Sequence, residues 1–157
     1  MPTSPAFTPA ELSVWSSLAT LLEWLPAELD AQLQRDSQMS HFEFGLLYAL
    51  RSAPKGTLRM SELANYANST LSRLSRAAVR LEKRGWIRRE PDPEDGRFTL
   101  AILLEPGRSA VSDAEPGHVA LVREVVLDAM TPEQANTLRD AAKAISARLR
   151  PGASWTP

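Results

Sequence analysis

The sequence contains no cysteine and only two histidines, His41 and His118. The missing thiols exclude disulfides, thiolate nucleophiles and cysteine-ligated zinc, and so few histidines argue against a histidine-rich metal site. No apolar run reaches the length of about 18 residues that a membrane span needs. The opening residues, MPTSPAFTPAEL, lack the basic and then apolar order of a signal peptide, so we expect a cytoplasmic protein with no membrane partner.

Motifs that carry catalysis are also missing. The sequence has no P-loop, no nucleophile elbow and no dinucleotide fingerprint, and its serines lie in no recognisable triad context. We therefore predict no enzyme activity, no catalytic residue, no bound metal and no cofactor. The length of 157 residues and the 43% hydrophobic content suit one globular domain over residues 1–157.

Charge is distributed unevenly along the chain. The net charge is only −1, yet residues 69–89 hold seven basic residues and one acid, Glu82. A segment of charge +6 in an otherwise acidic chain is typical of a site for a polyanion. The alternative is a solvated helix face, and the spacing of the basic residues bears on the choice.

Three helix starts are marked by capping boxes, in which a hydroxyl is followed three residues later by Glu or Gln. The boxes are TPAE from Thr8, SHFE from Ser40 and TPEQ from Thr131. The helices that they open are predicted over about residues 9–35, 41–52 and 131–150. Pro26 should kink or interrupt the first of these helices, and Pro116-Gly117 should break or kink the helix before the last one.

The middle of the chain predicts a helix-turn-helix. Ser61 is placed to cap a short helix, ELANYA, and Asn68 or Ser69 is placed to cap a longer one that reaches about Arg84. Gly85 then ends the longer helix.

A hairpin follows the longer helix. WIRRE and FTLAILL are extended runs on either side of PDPEDG, and Asp95-Gly96 is the expected turn. The segment TLRM, which begins at Thr57, is short and compatible with a strand. We interpret Asp92 and Glu94 as acids that keep this hairpin from binding polyanions indiscriminately.

The longer helix presents two faces when its residues are placed about 100° apart. One face holds Leu71, Leu74, Ala78 and Leu81, and the opposite face holds Ser69, Arg73, Arg76, Arg80 and Lys83, with Ser72 at its edge. Arginine suits phosphates and guanine edges because its fork donates two parallel hydrogen bonds. The spacing favours nucleic-acid binding, and the hairpin makes the unit a winged helix.

The segment SELANYANSTLSRLSRAAVRLEKRGWIRREPDPEDGRFTLAILLEPG resembles the MarR family, the multiple-antibiotic-resistance type of transcriptional regulator. The resemblance is specific over residues 40–107 and looser over the flanking helices. It implies a mainly α fold with a small β-hairpin wing. A winged helix-turn-helix over residues 40–107 would bind DNA, and N- and C-terminal helices over residues 9–38 and 108–150 would form the dimer.

The resemblance also implies site residues. The family's wing pattern is an aspartate, one residue and an arginine, which here is Asp95-Gly96-Arg97. Arg97 is expected in the minor groove and Asp95 is expected to hold the wing, while Gly96 replaces the usual middle arginine. The predicted DNA-binding residues are Asn68, Ser69, Thr70, Ser72, Arg73, Arg76, Arg80, Arg89, Asp95 and Arg97.

The implied function is that of a homodimeric regulator of near-palindromic double-stranded DNA. Such a regulator acts as a repressor and leaves DNA when a small, often aromatic, effector binds between its dimerisation and DNA-binding parts. The alternative is a winged-helix protein-interaction module, or a degenerate DNA binder without ligand sensing. The candidate ligand-binding residues are Trp15, Trp24, His41 and Tyr48, although packing is the favoured role of the two tryptophans and of Tyr48.

Overall fold

The computed structural model describes residues 6–149. Their elements, in chain order, are α1 (Pro9–Ser37), α2 (His41–Ser52), a 3-10 turn (Pro54–Gly56), β1 (Thr57–Arg59), α3 (Met60–Tyr66), α4 (Leu71–Lys83), β2 (Ile87–Pro91), β3 (Thr99–Leu103), α5 (Glu105–Val122), a π-helical segment (Arg123–Leu127) and α6 (Pro132–Leu149). This order confirms a mainly α fold that carries a winged helix-turn-helix. The predicted end of the last helix, Arg150, lies outside the described residues.

All three predicted capping boxes are present at the starts of α1, α2 and α6. In each box the hydroxyl accepts a hydrogen bond from a backbone N–H of the first turn, and the acid or amide reaches back to the cap, at distances of 2.7 to 3.3 Å. These bonds satisfy N–H groups that have no partner within the helix. The starts of these helices were therefore predictable from local sequence.

Neither internal proline interrupts its helix. α1 continues through Pro26, and α5, which packs against α1 and α2, continues through Pro116. Gly117 supports this packing, since a Cβ at that position would lie 3.1 Å from Nε2 of Gln32. His118 therefore lies well inside α5.

The hydrophobic core lies where α2, α3, α4, α5 and the sheet meet. Its most deeply buried side chains include Leu46, Leu47, Leu50, Leu63, Leu74, Leu81, Ile87 and Val111. Each such leucine or isoleucine contributes about 1.5–3 kcal/mol through its burial. The core thus fixes α4 and the strands after it to one body.

The sheet has three antiparallel strands in the order β1, β3, β2. The TLR segment of β1 pairs with β3, with Arg59 opposite Leu100. α3 starts directly after this pairing, because the carboxylate of Glu62 accepts the N–H of Arg59 at 3.0 Å. The predicted cap at Ser61 is therefore wrong, since Arg59 is the cap residue and Ser61 lies inside α3.

The N- and C-terminal helices expose a large amount of apolar surface. Trp15 is 50% exposed and Trp24 is 74% exposed. Other exposed apolar side chains of α1 and α6 are Leu12, Val14, Leu21, Leu22, Leu138, Ile145 and Leu149. Across residues 6–149, no helix has both the length and the apolar character needed to cross a membrane.

Candidate nucleic-acid interface and the adjoining cleft

The turn between α3 and α4 positions the start of α4. Thr70 is the cap, because its Oγ1 accepts the N–H of Arg73 at 3.2 Å, so the prediction of Asn68 or Ser69 as the cap is wrong. Asn68 instead has φ of 48°, a left-handed conformation that reverses the chain. Ser69 is buried and its N–H donates to the carbonyl of Ala64 at 2.9 Å. Ser69 therefore closes the turn and is not exposed on the basic face.

The apolar face of α4 consists of Leu74, Ala77, Ala78 and Leu81, all of them buried. Leu71 was predicted on this face, but it is 53% exposed. It is the first residue of α4 and lies on the side that faces the wing, beyond the edge of the core. Ala77, which the pattern did not assign to this face, is buried there.

One flank of α4 contacts the start of α2 and Gln38, the residue that follows α1. We call the three arginines of this side the docking flank. The Arg73 guanidinium lies 4.1 Å from the ring centroid of Phe42, Arg80 Nε donates to Glu43 Oε1 at 2.8 Å, and Arg84 Nη1 donates to the Gln38 carbonyl at 2.6 Å. Arg73 and Arg80 were predicted on the face opposite the core. Both are exposed, and both also contact the start of α2.

The outward face of α4 carries three polar residues, Ser72, Arg76 and Lys83, which are all exposed, and beside them Val79, which is 41% exposed. At about 100° per residue these three positions lie opposite the buried face. The one acid of α4, Glu82, points elsewhere, because it binds Arg89 of β2. The outward face therefore offers a hydroxyl, a guanidinium and an ammonium group without a neighbouring carboxylate on the same helix.

The wing, residues 87–103, is fastened to α4 at its base. Arg89 donates to the Glu82 carboxylate from Nε at 2.9 Å and from Nη2 at 2.6 Å. These hydrogen bonds lower the pKa of Glu82. Arg89 was predicted to bind DNA, and the structure places its guanidinium in this ion pair.

The tip of the wing is a seven-residue loop, not a two-residue Asp-Gly hairpin. Asp92 N–H donates to the Phe98 carbonyl at 2.9 Å, and Phe98 N–H donates to the Asp95 carbonyl at 3.0 Å. Gly96 lies inside the second of these turns without the positive φ that the two-residue hairpin requires. The loop is therefore longer than the Asp-Gly signal predicted.

Arg97 lies at the tip of the wing and is held by Asp95. Its Nε and Nη2 donate to the two carboxylate oxygens of Asp95 at 2.9 and 2.6 Å. The side-chain and backbone hydrogen bonds from Arg97 lower the pKa of Asp95. The Arg97 side chain remains 85% exposed, so Asp95 orients the guanidinium without burying it.

A cleft of about 1210 Å³ is lined by residues of α1, α2 and α5 and by Arg73 and Arg80 of the docking flank. His41 and Tyr48, two of the four candidate ligand-binding residues, line this cleft, whereas Trp15 and Trp24 do not. The tryptophans belong to the exposed part of α1. The cleft walls also include Phe44, Tyr66, Arg73, Arg76, Arg80 and His118.

The two histidines of the chain meet in this cleft. Their ring centroids are 5.4 Å apart, and His118 also lies 4.6 Å from the ring centroid of Phe44. Nδ1 of His118 is buried without a hydrogen-bond partner among the described residues. Burial lowers the pKa of His118, and the nearby His41 lowers it further, against the opposing charge of Glu115.

Three residues with clear structural roles were not singled out from the sequence as site residues. Glu43 appeared only as a capping residue, Arg59 carried no signal, and His118 was only counted as one of the two histidines. The sequence does contain the capping Glu43 and an arginine of α4 that could meet it, but their separation of 37 positions hides the pairing. Only the fold brings these residues together.

Comparison with known proteins agrees with this geometry. The family model described as "MarR family" matches residues 37–97. The structure of Sco3205 from Streptomyces coelicolor, a MarR family transcriptional regulator in complex with DNA, superposes with a TM-score of 0.92 at 43% identity, over 97% of this chain and 95% of that chain. AbsC, a MarR family transcriptional regulator from the same organism, superposes with a TM-score of 0.90 at 30% identity, over 94% of this chain and 99% of that chain.

A curated relative matches a shorter part of the chain. The uncharacterised HTH-type transcriptional regulator YfiV of Bacillus subtilis is 30% identical over 95 residues, which are 60% of this chain and 58% of YfiV. The match thus spans little more than half the length of that relative. The near full-length likeness to Sco3205 and AbsC decides the family: this chain belongs to the MarR family of transcriptional regulators.

Proposed function

We propose that this chain is a sequence-specific double-stranded DNA-binding repressor. The observation that carries the proposal is the shared exposure of the outward face of α4 and of Arg97 at the tip of the wing. A helix with exposed donors suits the major groove, where base edges are distinguishable, and an arginine suits the narrow minor groove beside it. Ser72, Arg76 and Arg97 are the side chains that we assign to DNA, with Lys83 on the phosphates.

We propose a different task for four of the predicted DNA-binding residues. Arg80, Arg89 and Asp95 hold other groups in place, and Ser69 closes the turn before α4. Asn68 and Thr70 remain exposed at the start of α4, where backbone N–H groups and the helix dipole favour a phosphate. Arg73 is exposed although it stacks on Phe42, so it stays a candidate for a phosphate contact.

The functional unit in this proposal is a homodimer built through α1, α5 and α6. The exposed apolar side chains of α1 and α6 support it, because contiguous apolar surface on a soluble chain marks an association site. A two-fold dimer would present two copies of α4 to half-sites about one DNA turn apart. The operator is therefore expected to be near-palindromic.

Effector binding is the remaining part of the proposal. The cleft has aromatic walls from Phe44, Tyr48 and Tyr66, and it is bordered by arginines of α4. A small aromatic anion would find both kinds of partner there. Because the docking flank forms one wall, an occupant would act on the placement of α4 relative to α2.

The proposal is tested by selecting duplexes from a random pool with the purified chain and then footprinting the selected site. The expected outcome is a near-palindrome protected over two half-sites about one DNA turn apart. Benzoate and salicylate are then titrated into the complex, and release at concentrations that leave a non-specific control complex intact supports effector sensing. If the selection enriches no sequence and the chain binds all duplexes equally, the proposal of a sequence-specific repressor is contradicted.

A further inference from the structure

Arg80 differs from the other basic residues of α4 in the nature of its partner. Its Nε lies 2.8 Å from Oε1 of Glu43, and the Glu43 residue is only 7% exposed. Ion pairs between two exposed side chains contribute little, because water screens both charges. A pair with a buried member is different, since removing its exposed partner leaves an uncompensated charge away from water. Here Glu43 is the buried member, while the Arg80 side chain is 56% exposed.

The carboxylate of Glu43 has a fixed position. Its Oε2 accepts the N–H of Ser40 at 3.0 Å, while its own N–H donates to Ser40 Oγ at 3.1 Å. Burial opposes ionisation of this carboxylate, but the hydrogen bonds from Ser40 and Arg80 and the charge of Arg80 prevail and lower the pKa of Glu43. The start of α2 therefore holds an ionised oxygen, Oε1, in one place for Arg80.

The remaining contacts of the docking flank lie on either side of this pair. Arg73 stacks on Phe42 near the start of α4, and Arg84 donates to the Gln38 carbonyl at its end. Arg80 also reaches the carbonyl of Arg76 with Nη1 at 3.5 Å, so it spans from α2 to the turn of α4 that carries Arg76. The orientation of the outward face is thus tied to the start of α2.

We infer that Glu43 and Arg80 are a positioning pair for the DNA-reading face of α4, and that Arg80 contributes through Glu43 and not through a contact with DNA. The inference rests on the proposed function. The inference predicts an effect of Glu43 on DNA affinity that is opposite to the usual effect of an acid near a polyanion. Removing the negative charge of Glu43 should weaken sequence-specific binding, although removing an acid normally strengthens binding to DNA by reducing repulsion.

The test uses the full chain, the duplex selected from the random pool and a random-sequence duplex of equal length. Fluorescence anisotropy gives affinities over a salt series for wild type, Glu43→Gln, Arg80→Lys and the double variant. Glu43→Gln keeps an oxygen for the Ser40 amide, and Arg80→Lys keeps the charge but loses the Nε donor. Glu62→Gln is the matched control, because Glu62 caps α3 in the same way but through the exposed Arg59 amide.

The expected result is a loss of about tenfold in affinity for the selected duplex in each single variant, which corresponds to about 1.4 kcal/mol. Binding to the random duplex and the salt slope should stay at the wild-type values, and the double variant should lose no more than either single one. Glu62→Gln should bind both duplexes at least as well as wild type. Circular dichroism at the assay temperature checks that each variant is folded.

Two results would overturn the inference. If Arg80→Ala, measured beside the others, lowers the salt slope by about one while Glu43→Gln strengthens binding, Arg80 is a phosphate contact. If the losses of the single variants add in the double variant, the two residues do not act as a pair. Failure of wild type to bind either duplex at low salt would instead overturn the proposed function, together with this inference.

Discussion

Arg59 holds the buried carboxylate of Asp92 where the chain leaves β2. Nε and Nη2 of Arg59 lie 2.8 and 2.7 Å from Oδ2 of Asp92, and the same guanidinium lies 4.4 Å from the ring centroid of Phe98. The other carboxylate oxygen of Asp92 accepts the N–H of Glu94 at 2.9 Å. One arginine of β1 therefore braces both ends of the loop that carries Arg97.

This brace changes the interpretation of the acidic loop. Asp92 is only 6% exposed, and the amide of Glu94 and the Arg59 guanidinium lower its pKa. We predict that Asp92→Asn destabilises the fold by about 1–3 kcal/mol, because it leaves a part-buried guanidinium without its charge partner. Urea unfolding measures the change. Glu94→Gln, at an exposed position, is the control that should leave stability unchanged and raise affinity for random duplex. Equal changes in stability in the two variants would contradict a structural role that Asp92 has and Glu94 lacks.

Removal of the Arg97 side chain should weaken DNA binding without changing the stability of the fold. Its guanidinium is exposed and bound to Asp95 alone among the described residues, so Arg97→Ala should leave the melting temperature unchanged. Affinity for the selected duplex should fall by about 1–3 kcal/mol. Arg139→Ala, which removes an exposed arginine paired with Asp140 in α6, is the matched control and should bind as wild type does. If the Arg97→Ala variant binds the selected duplex with wild-type affinity, the wing tip does not contribute to the DNA interface.

Substitution by alanine should change stability in opposite directions at two glycines, Gly107 and Gly45. A Cβ on Gly107 would lie 2.3 Å from the carbonyl oxygen of Trp86, where the start of α5 crosses the base of the wing. Gly107→Ala should therefore cost about 1–3 kcal/mol of stability through overpacking. Gly45, exposed inside α2, has nothing within 4 Å of such a Cβ. Gly45→Ala should stabilise the chain by up to about 1 kcal/mol through helix propensity. Thermal unfolding measures both effects. A shift of the melting temperature in the same direction in both variants would contradict this prediction.

The histidine pair predicts a loss of stability in mild acid. The pKa values of both His41 and His118 lie below the ordinary 6.5, chiefly because of burial. As the pH falls below 6.5, the unfolded chain binds protons before the folded chain does, so the free energy of unfolding decreases until the folded pKa values are passed. His118→Phe should reduce this decrease between pH 7.5 and 5.5 in urea titrations. An identical pH dependence in the variant would show that other groups cause it.

Local signals and long-range contacts were not equally predictable. The capping boxes at Thr8, Ser40 and Thr131 depend on residues three positions apart, and each opens a helix where it was predicted. The Asp-Gly signal misjudged the wing, because contacts between Asp92 and the distant Arg59 hold a longer loop in place. Local preference fixes an element's start, but tertiary contacts decide how a loop closes.

The basic face of α4 illustrates the same limit. Helical periodicity separated Leu74, Ala78 and Leu81 from the arginines, because burial of one face is a property of the helix itself. Periodicity could not distinguish Arg76 from Arg80, since the carboxylate that binds Arg80 belongs to α2. The division of the arginines into an outward face and a docking flank therefore required the structure.

The most direct test of DNA binding is the affinity of the purified chain for a random-sequence duplex, measured by anisotropy as the salt concentration is raised. The outward face of α4 and the wing tip predict binding at low salt, with the logarithm of affinity falling linearly as the logarithm of salt rises. Each phosphate contact should contribute about −0.9 to that slope, and Lys83→Ala should make it shallower by about one such contact. No detectable binding at low salt, or an affinity that does not change with salt, would contradict the assignment of this face to DNA.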